Sequence, residues 1–321
     1  MPSDLNVMIL CAGLGTRLRP LTLECAKPAV PLLNRPLVGY PLALAKTLGV
    51  EAVTINTHWL PETMQGAAER EASALGVDLY VSNEPVLLGT GGGLWQARQR
   101  GLLKRDRDVL VLNGDVLFDI DLERVLEVHR KTQALATMVL RPMPEGAPYS
   151  PVEADGEGRI RRIGKYGTPG IGPASLFSGV HVLSPDALNL LPSGESGVIE
   201  QVYAPLLKRG ARVQAAYETG LWLDLGDPEG YLNAHLALLS GDAQLGALER
   251  HGILRKTQSG VSPQAHVDVS AQVARSAIGA GATVDAGAEI IDCVVWPGAT
   301  VAVGERLSRT IVTRRSRVTV R

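Results

Sequence analysis

From Leu5 to about Ser240, short apolar runs alternate with longer segments whose apolar residues recur at helical spacing. Asn6–Cys11, Ala52–Asn56, Asp78–Val81 and Val109–Asn113 are apolar runs bounded by turn residues, the pattern of strands buried on both faces. Between them the spacing predicts helices over Pro36–Leu48, Glu62–Leu75, Gly93–Leu102 and Leu122–Arg130. Asp121 can cap the last of these, and Pro61 suits the first turn of the second. Strands alternating with helices in this way predict an α/β fold, a Rossmann-like, doubly wound and mostly parallel sheet. Ligands of such sheets bind beyond the carboxyl ends of the strands.

Residues 134–163 and 176–183 break the alternation and predict antiparallel strands, read as a lid or substrate-side insertion. Ser184-Pro185-Asp186 starts a short helix and Val198–Arg209 another. A mixed polar stretch follows, so the expected organisation is a catalytic domain over 1–240, a linker over 241–258 and a C-terminal domain over 259–321. In that last part Val261, Val267 and Val273 are six apart. Ile278, Val284 and Ile290 repeat the spacing, and Val295, Val301 and Leu307 repeat it again, for a period of seventeen. One inward apolar residue per flat side, followed by small residues as in Gly279-Ala280-Gly281-Ala282, predicts stacked coils. This hexapeptide pattern resembles the left-handed parallel β-helix of many sugar-nucleotide and acyl-transfer enzymes.

Composition narrows the class. With 321 residues, 45% hydrophobic and 20% charged, the chain is globular and long enough for two domains. Its 32 basic and 33 acidic residues give no bulk attraction to nucleic acid or membrane, and neither is expected as a partner. The balance hides an asymmetry: nine basic against five acidic residues from 251 onward, and 23 against 28 before it. The arginine-rich end reads as a solvated coil edge or a surface for an acidic subunit. Cys11, Cys25 and Cys293 have no Cys-x-x-Cys spacing and form no disulfide framework. No apolar run approaches a membrane span, so a cytoplasmic protein is expected. Thirty-five glycines are the unusual entry.

Many of these glycines fall where chemistry is expected. The first strand runs into Cys11-Ala12-Gly13-Leu14-Gly15-Thr16-Arg17-Leu18. A Gly-x-Gly turn after a buried strand lets backbone N–H groups approach phosphate oxygens, although such turns are as often structural. A dinucleotide site would want a third glycine at Leu18 and an acid near Asn34-Arg35, and a P-loop would want Gly-Lys-Ser/Thr. What remains is a loop followed by two cations, Arg17 and Lys27, suited to a leaving pyrophosphate. Gly89-Thr90-Gly91-Gly92-Gly93 is either a tight turn before a helix or backbone closing on a nucleobase and ribose; the second is favoured.

Gly13-x-Gly15-Thr16-Arg17-Leu18-x-Pro20-Leu21-Thr22 with Lys27-Pro28, then Asn113-Gly114-Asp115, Phe177-Ser178-Gly179-Val180 and Trp222-Leu223-Asp224-Leu225-Gly226, resembles the motif series of the sugar-1-phosphate nucleotidyltransferases. Gly89–Gly93 and Asn56-Thr57-His58-Trp59-Leu60 look most like the N-acetylmuramate-1-phosphate uridylyltransferase and mannose-1-phosphate guanylyltransferase branches, and the appended coil favours the second. The resemblance implies transfer of a nucleoside monophosphate from a triphosphate to a sugar 1-phosphate, with a lean to GTP and mannose 1-phosphate. It implies catalytic roles for Arg17, Lys27, Asp115 and Asp224, and Mg2+ held by Asp115 and Asp224. Ala12, Gly13, Gly15, Thr16, Arg17, Gly89, Thr90, Gly91 and Gly114 would bind nucleotide; Lys165 and Gly179 would bind the sugar phosphate. A homo-oligomer built through the coil is expected. Alternatives are another base with another sugar, or a non-catalytic regulatory subunit.

Two departures bear on the sugar. Many relatives carry Glu-Lys-Pro where this chain has Gly164-Lys165-Tyr166, so a carboxylate for sugar hydroxyls is missing there. Gly226-Asp227-Pro228 stands where Gly-Thr-Pro is usual, and Asp227 is read as the cap of a helix over Pro228–Leu239 rather than a metal ligand. His58 is a weaker substrate contact. Trp59, Trp95 and Trp222 read as core or pocket wall.

Overall fold

The computed structural model describes residues 4–146, 148–252 and 260–321. In chain order the first unit contains β1 (Leu5–Leu10), α1 (Gly39–Thr47), β2 (Ala52–Thr57), α2 (Pro61–Leu75), β3 (Asp78–Asn83), α3 (Gly89–Gln99), β4 (Asp108–Asn113) and β5 (Val116–Asp119). Then come α4 (Leu122–Thr132), β6 (Ala136–Pro142), β7 (Val152–Ala154), β8 (Ile160–Ile163), β9 (Tyr166–Gly167), β10 (Ser175–Leu183), β11 (Val213–Tyr217) and β12 (Leu221–Asp224). Two helices, α5 (Pro228–Ser240) and α6 (Gly246–Arg250), complete it.

Strands β3, β2, β1 and β4 lie side by side and parallel, with Ile9 opposite Ile55 on one flank and Leu112 on the other. Their side chains alternate between two apolar layers. Val7, Ile9, Val53 and Ile55 pack with Tyr40 and Leu42 of α1, while Met8, Val109 and Val111 pack with Leu94 and Tyr203. Both faces of β1, β2 and β4 are covered, which is why these three read as continuous apolar runs, whereas β3 at the sheet edge is largely exposed, with Tyr80 at 46%. Helix α4 buries Leu122, Val125, Leu126 and His129, one stripe at helical spacing, and the Asp121 carboxylate accepts the Arg124 N–H at 3.0 Å. Gly76 closes α2 at φ +61°, the left-handed conformation glycine adopts freely.

The segment read as a lid belongs to the sheet itself. β10 pairs antiparallel with β4 and β6, and β7, β8 and β9 extend the same ten-stranded sheet. The reason is burial: every residue from Ser178 to Leu183 is buried, so this strand needs neighbours on both edges. Outside that sheet, β5 and β12 form a two-stranded antiparallel ribbon with Asp224 opposite Val116.

Residues 241–252, the described part of the expected linker, are docked rather than extended. Ala247 and Leu248 of α6 are buried, and their N–H groups donate to the Asp119 carboxylate at 2.6 and 3.1 Å. Residues 253–258 lie outside the described residues. Beyond them, parallel ladders stack strands seventeen residues apart, as in Val267↔Val284↔Val301 and Val273↔Ile290↔Leu307. A third ladder runs through Ala277–Ile278, Val294–Val295 and Thr310–Val312, and Arg317–Thr319 closes it antiparallel. The apolar repeat is therefore the inter-turn register. Ile278, Val284 and Ile290 are buried, whereas Val267 at one end is 37% exposed. The basic residues are partly matched within the stack: Arg275 meets Asp292 at 2.6 Å and Arg306 meets Glu289 at 3.1 Å, each pair one turn apart. Among the described residues no helix is long and apolar enough to cross a membrane.

Two histidines should tie stability to pH. Burial pushes His181 down to about 3 and His235 to about 4, so both stay neutral in the fold. Unfolded histidine titrates near 6.5, so below that pH the unfolded chain binds the extra protons. Stability is thus full above about pH 6.5 and falls as pH drops toward 4, by about 1.4 kcal/mol per pH unit per histidine. Denaturant unfolding of wild type and His181→Gln across this range should show a shallower slope in the variant; identical slopes would remove His181 from the effect.

Candidate active site

The signature loop leaves β1 and turns immediately. Gly15 sits at φ +60°, its carbonyl accepting the Thr22 hydroxyl at 2.8 Å, and a Cβ there would come within 3.0 Å of both Thr22 and Lys27. Short turns at Thr16–Leu18, Leu21–Leu23 and Lys27–Ala29 then fold the chain back so that Lys27 points inward, 4% exposed. Its ammonium lies 3.0 Å from Asp115 and 3.9 Å from Asp224. These carboxylates are 109 residues apart in sequence, and the β5–β12 ribbon brings them together: Asp115 precedes Val116, which faces Asp224. Arg17 reaches Asp224 at 3.6 Å, its guanidinium lying over Gly226, where a Cβ would be 2.9 Å away. The four charged positions expected to act together are brought together.

A cavity of 270 Å³ opens beside this cluster at the carboxyl ends of the strands. Ala12, Gly13, Gly15, Gly89 and Thr90 line it with Lys27, Asn56, Asn113 and Asp115. A second cavity of 450 Å³ lies between Tyr149, Ser150, Gly164, Lys165, Tyr166 and Glu200. Tyr149 links the two, its hydroxyl donating to Asp224 at 3.0 Å and its ring edge-on to Trp222. A larger depression of 690 Å³, at the opposite ends of the strands near Asn6, Glu51 and Lys104, includes none of these residues.

The glycines divide by what surrounds them. At Gly13 a Cβ would meet nothing within 4 Å, so the space in front of it is open to a ligand. At Gly114 it would strike Cys11 Sγ at 2.7 Å and the Leu10 carbonyl at 2.9 Å; at Gly91 it would strike Ser196. Gly179, at φ +86° in a bulge of β10, packs against the Asn113 amide. At these three positions the place a Cβ would take is filled by the protein itself. Thr16 lies in the exposed turn beside Arg17. Lys165 sits on the β8–β9 turn in the second cavity, 5.3 Å over the Tyr166 ring.

Contributors beyond the expected site residues complete the geometry. Asn56 accepts the Cys11 N–H at 2.7 Å and donates to Glu84 at 2.7 Å, while Glu84 accepts the Leu88 N–H at 3.0 Å. This buried chain ties the signature loop to the loop before Gly89. Asn56 opens the Asn56–Leu60 motif, whereas Glu84 is marked in the sequence only as a polar residue just after β3. Asp227 caps α5, accepting the Gly230 N–H at 2.8 Å, as its position before Pro228 implies. His58 is turned to the Glu84 carbonyl at 2.8 Å, and Trp59 donates to the Thr22 carbonyl.

The chain matches the nucleotidyl transferase family over residues 6–241. The chain belongs to that family. A mannose-1-phosphate guanylyltransferase of Mycobacterium tuberculosis is 31% identical over 283 residues, 87% of this chain and 77% of the relative. A mannose-1-phosphate guanyltransferase of Yarrowia lipolytica is 30% identical over 73% of this chain, and a probable mannose-1-phosphate guanylyltransferase 2 of Arabidopsis thaliana 28% identical over 71%. The chain spans just under two thirds of the length of these last two, 64% and 63%. The family match covers the central sheet, both cavities and all four charged positions.

For this nucleotidyl transferase, Lys27→Met should lower kcat by roughly 10²–10³-fold while far-ultraviolet circular dichroism is unchanged. Gly13→Ala should leave the thermal midpoint unaltered and weaken triphosphate binding roughly tenfold, because only a ligand occupies that space. Gly114→Ala should instead destabilise the fold by about 2 kcal/mol through overpacking. Equal behaviour of the two glycine variants in melting and binding assays would overturn the distinction.

Proposed function

We propose that the protein transfers a nucleoside monophosphate from a triphosphate to a sugar 1-phosphate, releasing pyrophosphate, with GTP and mannose 1-phosphate as substrates. The observation that carries this reading is the buried Lys27 ammonium between two aspartates, flanked by one cavity for each substrate. The similarity to mannose-1-phosphate guanylyltransferases supports the choice of base and sugar.

The nucleotide takes the cavity over Gly13 and Thr90, and the sugar takes the one over Lys165. A sugar-phosphate oxygen attacks the α-phosphorus, and the bond from that phosphorus to the departing pyrophosphate breaks opposite; no proton needs to move. Both reactants are anions, so repulsion and alignment dominate the barrier. Lys27 offsets the charge where they meet. Arg17, 68% exposed at the rim, receives the leaving pyrophosphate. Asp115 and Asp224 form an oxygen-only pair, and among the described residues no group of three or more His, Cys, Asp or Glu is placed to hold a metal. A two-carboxylate site suits Mg2+, which keeps several waters and takes its remaining ligands from phosphates; when bound it would supply charge neutralisation.

Glu200 supplies the carboxylate missing at Gly164. A side chain at 164 is disfavoured by φ +55°, whereas Glu200 is the one carboxylate among that cavity's described lining residues. It sits where the helix locally widens to π geometry, a distortion common at functional sites. The seventeen-residue ladders form a left-handed β-helix through which copies of the chain assemble, and the three unpaired cysteines suit a reducing cytoplasm.

Pyrophosphate release across common triphosphates and a panel of sugar 1-phosphates should be greatest with GTP and mannose 1-phosphate. A greater rate with another pair would replace the substrate assignment, and no turnover on any pair would remove the catalytic reading in favour of a regulatory one. Glu200→Gln should raise KM for the sugar phosphate roughly tenfold and leave KM for the triphosphate unchanged.

A further inference from the structure

The C-terminal coil touches the catalytic unit at the stretch of chain that carries Lys27. After Lys27 the chain forms a tight hairpin, Pro31–Leu32 paired with Arg35–Pro36, stitched to its base by Leu37 N–H to Val30 O and Val38 N–H to Pro28 O. The Tyr231 hydroxyl, fully buried on α5, donates its single proton to the Pro31 carbonyl. The same oxygen accepts the Trp296 indole N–H at 2.9 Å. Helix α5 begins four residues after Asp224, so one phenol joins three things: the hairpin of Lys27, the helix following Asp224 and the coil.

The coil side of this contact is periodic. Trp296 and Thr313 are one turn apart, and the Trp296 N–H bonds to Val312 O on the next turn. Thr313 donates to the Glu24 carboxylate, three residues before Lys27. Asn34, at the tip of the hairpin, donates to Gly260 O at 3.2 Å. The segment 24–34 is thus held at three points by the coil, directly or through Tyr231.

We propose that Tyr231 and Trp296 are positioning residues: through them the coil sets the place of Lys27 relative to Asp224. A phenol with one proton and one accepting site filled cannot drift without orphaning a buried N–H or C=O, so the relay defines a distance rather than merely adding contact area.

The turnover part of the test rests on the proposed function; amide exchange does not. In Trp296→Phe, exchange at Val30, Leu37 and Val38 should accelerate roughly tenfold, while Met8 and Ile9 of β1 are unaffected. With the best substrate pair, kcat should fall roughly tenfold and both KM values stay within about twofold, the split expected for misplacement of a charged group. Tyr231→Phe should act in the same direction and more strongly; if it fails to fold, Trp296→Phe decides. Arg309→Ala removes a different contact between the two parts, to Asn233, and should change neither readout. Unchanged hairpin exchange in Trp296→Phe, or an equal effect from Arg309→Ala, overturns the proposal. Accelerated hairpin exchange in a chain that turns over no substrate would uphold the positioning role and remove the proposed reaction.

Discussion

One buried ammonium organises the molecule. Lys27 is withdrawn from water almost completely, a state that is costly unless opposite charges stand close by. Asp115 and Asp224 supply them: Asp224 ends one strand of the β5–β12 ribbon and Asp115 immediately precedes the other, far in sequence from the lysine. The turns between Arg17 and Lys27, the hairpin beyond it and the docking of α5 all keep that ammonium between those carboxylates. Remove the lysine, and Asp115 loses its ammonium partner while Asp224 is left with the exposed Arg17 at 3.6 Å as its cation. The arrangement suits a reaction between two anions, since the charge needed to bring phosphates together is in place before either arrives.

Much of this was legible in the residues. Apolar runs marked β1, β2 and β4 because both of their faces are buried, and Asp121, Pro61 and Pro228 marked helix starts through their own local chemistry. The seventeen-residue repeat reappears as ladder register because each turn must bury the same apolar position. The four charged positions were named through the motif resemblance, and the fold brings them together.

What was not legible depended on distance or shape. β6 and β10 look like an insertion because their antiparallel pairing with the central strands is non-local, and nothing in their own residues names a partner. Asn56 and Glu84 are ordinary polar residues until folding buries them together. At Gly114 and Gly179 the place of a side chain is taken by Cys11 and Asn113, neighbours that the sequence does not name. Sequence shows that a side chain is absent, not what fills the space.

The coil also constrains how this chain can change in length. Its turns are in register only at intervals of seventeen residues, and Arg275 with Asp292 and Arg306 with Glu289 repeat that interval in charge. A short insertion or deletion would shift every later turn sideways, unpairing ladders and moving Thr313 off Glu24. Changes in length are therefore restricted: between Gly260 and Thr313 even the gain or loss of a whole turn would move one anchor away from the others. The segment that braces the hairpin is, in effect, a ruler with fixed divisions.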